Sequence, residues 1–78
     1  MMTFCGALEA LKNGQCVQRA GWNGKGMWLI YVDDWYPRNK LLEGLPLLPW
    51  IGMKTADGKF VPWLASQTDI LAEDWSEV

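Results

Sequence analysis

Phe4, Ala7, Leu8 and Leu11 recur at the i, i+3, i+4, i+7 spacing that lines one face of a helix. Thr3 stands where an N-cap belongs and Asn13-Gly14 where a helix stops, so the spacing predicts a helix over residues 4–13 with Glu9 and Lys12 on its wet side. The period then changes. Residues 15–19 read as a short strand, and Ala20-Gly21-Trp22-Asn23-Gly24-Lys25-Gly26, with three glycines and an Asn-Gly pair, reads as a tight hairpin connection. Residues 27–32 are the strongest strand signal in the chain and are apolar on both faces. One helix can cover only one face of a sheet, so the second face calls for a partner, most simply another copy of the chain.

Residues 33–49 hold three of the four prolines and read as an irregular arm of the kind that serves function or covers a partner. Residues 50–55 and 60–64 read as two strands joined by Ala56-Asp57-Gly58-Lys59, whose Asp-Gly pair is the mark of a two-residue hairpin; Pro62 confines the second strand to an edge or an end. Ser66-Gln67-Thr68-Asp69 has the form of a capping box with Asp in place of Glu, opening a short helix through Ala72, and residues 73–78 close the sheet as a last strand. The expected fold is α+β: a small antiparallel sheet with an N-terminal helix and a short C-terminal helix, oligomerising through the sheet.

Composition narrows the chemistry. A chain of 78 residues is read as one domain over 1–78, and at this size it buries only about 60% of its unfolded surface, which again favours self-association. Seven basic residues against nine acidic ones speak against binding a DNA or RNA polymer. The N-terminus has no basic start and no long apolar stretch, and the longest apolar run is far too short for a bilayer, so neither a signal peptide nor a membrane partner is expected. Histidine is absent, which removes the usual general base and the commonest metal ligand. Cys5 and Cys16 lack metal or redox spacing and are expected as free thiols, with a disulfide between them the lesser alternative. No catalytic residue, metal or cofactor is expected. Six tryptophans exceed what a core this small needs.

Two constellations suit a nucleotide. Trp22, Asn23, Gly24, Lys25 and Gly26 join a stacking plate, an amide and a backbone able to approach phosphate, with Lys25 and Arg19 adding positive charge. The plainer reading is a hairpin turn with Trp22 as a core plug and Lys25 in solvent. Ser66, Gln67 and Thr68 stand at a helix start, where free N–H groups favour an anion; the plainer reading there is a cap alone. Asp74-Trp75 pairs a ribose acceptor with an aromatic, or is a solvated carboxylate beside a core tryptophan.

Taken together, Phe4 with Ala7-Leu8-Glu9-Ala10-Leu11, the run from Arg19 to Gly26, Met53-Lys54-Thr55-Ala56-Asp57-Gly58, Val61-Pro62-Trp63-Leu64-Ala65-Ser66-Gln67-Thr68-Asp69 and Leu71-Ala72-Glu73-Asp74-Trp75 resemble the phage Thoeris anti-defense 2 family. The resemblance implies a compact α/β protomer that assembles as a homotetramer in the cytoplasm of the infected bacterial host. It implies sequestration, without cleavage, of cyclic ADP-ribose isomers made by TIR-domain proteins, and in some members of cyclic dinucleotides. The family start carries Gly-Glu after the phenylalanine, where this chain has Cys5-Gly6. On this reading Trp22 stacks on a base, Asn23 reads base or ribose, and Gly24, Lys25 and Gly26 hold phosphate or a second ligand. Ser66, Gln67 and Thr68 reach across a protomer interface, Asp74 takes ribose hydroxyls, and Arg19 and Trp75 complete the site. The rival readings are a module that blocks a host protein through its aromatic surface and an enzyme that cleaves the signal.

Overall fold

A computed structural model of the chain describes residues 1–22 and 25–78. Helix α1 spans Phe4–Lys12. Thr3 Oγ1 accepts the Gly6 N–H at 3.4 Å, and Lys12 puts a cation at the negative end of the helix. Gly14, at φ +88°, ends it: the Gly14 N–H donates to Leu11 C=O and the Gln15 N–H to Ala10 C=O, at 3.0 and 2.9 Å. This crossed pair satisfies two terminal carbonyls, and the left-handed backbone it needs is why a glycine follows Asn13.

Five strands follow: β1 Val17–Arg19, β2 Trp28–Val32, β3 Trp50–Lys54, β4 Phe60–Pro62 and β5 Trp75–Glu77. A short helix α2, Gln67–Leu71, precedes β5. The sheet runs in the order β4-β3-β2-β1-β5, every neighbour antiparallel. The expected α+β architecture is therefore present. Pro62 lies on the edge strand β4, where its missing N–H leaves no gap in the ladder.

Two turns differ from expectation. β1 and β2 pair as a hairpin, but Ala20–Trp22 is a turn of 3₁₀ helix, so their connection begins with a coiled step and is not tight. Between β3 and β4 the Thr55 N–H donates to Lys59 C=O at 2.7 Å, leaving a three-residue loop with Gly58 at φ +86°. The Asp-Gly pair thus serves a turn followed by a left-handed residue, which returns the chain one residue later than a two-residue hairpin.

The core lies between α1 and one face of the sheet. Ala7, Ala10 and Leu11 of α1 meet Val17, Leu29 and Trp75, all buried. Strand alternation sends Trp28, Ile30 and Val32 to the opposite face, where they share rows with Lys54, Gly52 and Trp50 of β3. Among the described residues no helix lies over this second face. Trp35, from the arm, packs edge-on against Trp50 with centroids 6.5 Å apart, and the ring of Phe60 lies on Gly52. The arm, residues 33–49, is irregular apart from a 3₁₀ turn at Lys40–Leu42, and it leaves Tyr36, Leu41 and Leu48 exposed. The chain measures 41 × 26 × 22 Å with a radius of gyration of 13.8 Å. A compact chain of this length would have about 11.5 Å, so the molecule is elongated.

Candidate functional site

Arg19 ends β1 on its core-facing side, paired in register with Trp75. Its Nη1 donates to Asp69 Oδ1 at 2.7 Å and its Nε to Asp74 Oδ1 at 2.8 Å, with a longer Nη2 contact of 3.4 Å to Asp74 Oδ2. Asp74 Oδ2 also accepts the Gly21 N–H at 2.8 Å. All three charged side chains are largely shielded from water. The Asp74 and Asp69 carboxylates raise Arg19 above its already high pKa, and the guanidinium, helped by the Gly21 N–H, holds Asp74 below the ordinary carboxylate value. One cation faces two anions, so the cluster carries a net negative charge. A Cβ on Gly21 would meet Arg19 Nη2 at 3.1 Å and Asp74 Oδ2 at 3.2 Å, so the ion pair needs the bare Cα beside it.

Arg19 and Asp74 are thus joined to each other. Charge that the sequence offered to phosphate is already matched by carboxylate, and the oxygens it offered to ribose already accept from Arg19 and Gly21. Asp69, expected to complete a capping box, turns its carboxylate to Arg19, while Ser66 Oγ accepts the Asp69 N–H at 3.1 Å. Ser66 is the cap of α2, and Gln67 and Thr68 stand exposed beside it.

Trp75, expected among the ligand contacts, is the centre of the core at 0% exposure. Its Nε1–H donates to Asp69 C=O at 2.9 Å, and its ring meets Phe4, Trp22 and Trp63 at 5.5, 5.4 and 6.0 Å. A side chain enclosed in this way has no face left for a nucleobase. Trp22 is intermediate. Its ring is half-buried and set at 79° to Trp75, so it has more support from its own chain than its place between two turn residues suggested.

Asn23 and Gly24 lie outside the described residues. Beyond them Lys25 is exposed, its N–H donating to Trp22 C=O at 3.3 Å. Gly26, at φ +73°, offers its C=O to Lys54 Nζ at 2.9 Å. Side chains therefore fasten the connection at both ends, Asp74 at Gly21 and Lys54 at Gly26. Sequence reasoning missed the roles of Asp69 and Lys54. The signal for Lys54 is its alternation with the core-facing Met53, which puts a cation on the aromatic outer face.

Cys5 is exposed and Cys16 partly so, both free. Among the described residues no cluster of three metal-ligating side chains occurs, and no helix is long and apolar enough to cross a membrane.

Residues 2–78 match the family model described as the Thoeris anti-defense 2-like domain. The protein named Thoeris anti-defense 2 from Bacillus phage SP01 is 42% identical over 84 aligned positions, which cover 99% of this chain and 94% of that protein.

Proposed function

This chain belongs to the Thoeris anti-defense 2 family, which makes it a phage anti-defense protein, and we propose that it acts by binding cyclic nucleotide immune signals and holding them uncleaved. The ligands are cyclic ADP-ribose isomers made by TIR-domain proteins, with cyclic dinucleotides as a second class. It works as one domain over 1–78, without a cofactor, in the cytoplasm of the infected cell.

One observation carries this reading beyond the family: two sequence-distant constellations share a single anchor. The connection that starts at Ala20 and the cap of α2 at Ser66 are both tied to Arg19, through Asp74 and Asp69. Such an anchor fixes binding elements before the ligand arrives and so lowers the cost of ordering them. Trp22 stacks on the base, Asn23 reads base or ribose, Gly24, Lys25 and Gly26 meet phosphate, and Ser66, Gln67 and Thr68 contact a ligand shared with a neighbouring protomer. Arg19 and Asp74 serve from behind as positioning residues, and Trp75 is left to the core. Cleavage would need a base in reach of the scissile bond. The sequence has no histidine, and Asp69 and Asp74 are paired with Arg19. Copies assemble as a homotetramer through the Ile30 and Val32 end of the outer face, which leaves the Trp28–Lys54 row at its rim.

A second reading, a module that blocks a host protein, draws on the exposed Tyr36, Leu41 and Leu48 of the arm. Heat separates the readings. Protein is mixed with signal and filtered, and the retained fraction is then denatured. Depletion followed by release of intact signal is expected; a degraded product means an enzyme, and no depletion means the blocking module.

A further inference from the structure

Three cations lie on or beside the connection between β1 and β2, and they are not equivalent. Arg19 has two carboxylates against its guanidinium, and an approaching phosphate would meet their charge as well. Lys25 is an exposed side chain. Lys54 differs from both. Gly26 C=O, at 2.9 Å, takes one of its three N–H donors and fixes where the ammonium sits. A neutral carbonyl orients the charge without cancelling it, and among the described residues no carboxylate pairs with Lys54.

The surroundings fit a nucleotide. Lys54 stands in register between Trp28 of β2 and Phe60 of β4, on the outer face. Side chains opposite each other on one face of a ladder are roughly 5 Å apart at Cβ. Among the described residues the ammonium has no second hydrogen-bond partner, and it shares its row with Trp28, as suits an anion carrying a base.

We infer that Lys54 is a phosphate contact of this site beside Lys25, and takes the share of that role the sequence suggested for Arg19. The connection starts on the core-facing side, at Trp22 against Trp75, and ends on the outer face, at Gly26 against Lys54. The ligand surface accordingly extends around the end of the sheet onto the face that carries Trp28. This inference rests on the sequestration reading for the identity of the ligand, but not for the existence of an anion site.

Two probes keep the two apart: inorganic pyrophosphate, and a cyclic ADP-ribose isomer purified from a TIR-domain enzyme reaction. Both are titrated into the parent, Lys54→Gln and Lys54→Arg, with melting recorded on each sample. Lys54→Gln is expected to weaken both probes roughly ten- to a hundredfold, as loss of a charge-assisted hydrogen bond does. Lys54→Arg should keep most of the affinity, and added salt should weaken the parent more than Lys54→Gln. In the ¹⁵N spectrum of the parent, pyrophosphate should shift the Lys54 and Gly26 amides, a readout that needs no variant. If the parent takes pyrophosphate at Lys54 but ignores the nucleotide, the anion site stands and the sequestration reading falls. If the parent binds the nucleotide and Lys54→Gln binds it equally well, the reverse holds. A parent whose Lys54 and Gly26 amides ignore both probes overturns the inference outright.

Discussion

Two aromatic clusters sit on opposite faces of one small sheet. On the helix side Trp75 is wholly buried, hydrogen-bonded through its indole N–H and ringed by Phe4, Trp22 and Trp63. On the other side the Trp50 ring centre lies 6.5 Å from that of Trp35 and 5.7 Å from that of Phe60, with no helix above them among the described residues, and Phe60 is close to half exposed. The first cluster encloses its tryptophan and satisfies its polar atom, which is how an indole becomes core. The second sets Trp35 edge-on to Trp50 over a sheet face and leaves area uncovered. Tryptophan in this chain therefore stands in two settings, one enclosed in the core and one open on a sheet face.

Truncation should separate the clusters most sharply. Trp75→Ala removes the largest buried side chain and should cost about 3–5 kcal/mol. A small domain has about 5–15 kcal/mol in all, so the variant should lose most of its cooperative melting. Near-parental melting would mean that Trp75 is not the centre of the fold. Gly52→Ala probes the other face. A Cβ there would enter the Phe60 ring, and the displacement should cost about 1–3 kcal/mol in a denaturant titration. In Gly52→Ala with Phe60→Ala most of that loss should return. Strict additivity of the two changes would show that Phe60 does not occupy the glycine's space.

A smaller effect belongs to the ion cluster that joins the core to the β1–β2 connection. Asp74 has its pKa lowered in the folded chain, so its stabilisation is complete at neutral pH and is lost as the pH falls below about 4 and through that lowered value. The Arg19 shift is upward from a value already above the working range, so it opens no window there. Melting followed from pH 6 to pH 2.5 should fall in the acid range, and Asp74→Asn should flatten that fall while keeping an oxygen for the Gly21 N–H. An unchanged acid profile in the variant would remove Asp74 from the account.

Local pattern was enough for the elements. The helical spacing from Phe4 to Leu11, the apolar run 27–32, Pro62 at an edge and the Ser66 cap each depend on neighbours within a few positions. The site was less legible because its contacts are distant. Arg19 meets Asp69 and Asp74 across 50 and 55 positions, and nothing near Arg19 announces a carboxylate. Trp75 looked like a partner of Asp74 because the two are adjacent, yet alternation turns its ring inward at the very residue where Met2 bridges to the strand. The loop length at Ala56–Gly58 escaped for a third reason: one Asp-Gly pair serves two turn geometries.

Whether the signal is held unchanged is read directly by ³¹P spectroscopy. A cyclic ADP-ribose isomer from a TIR-domain enzyme reaction is mixed with equimolar protein, followed for a day, and then freed by denaturation. The pyrophosphate resonances should shift or broaden on mixing and return unchanged after denaturation. Resonances that never move, or that return as a linear or monophosphate product, would contradict sequestration.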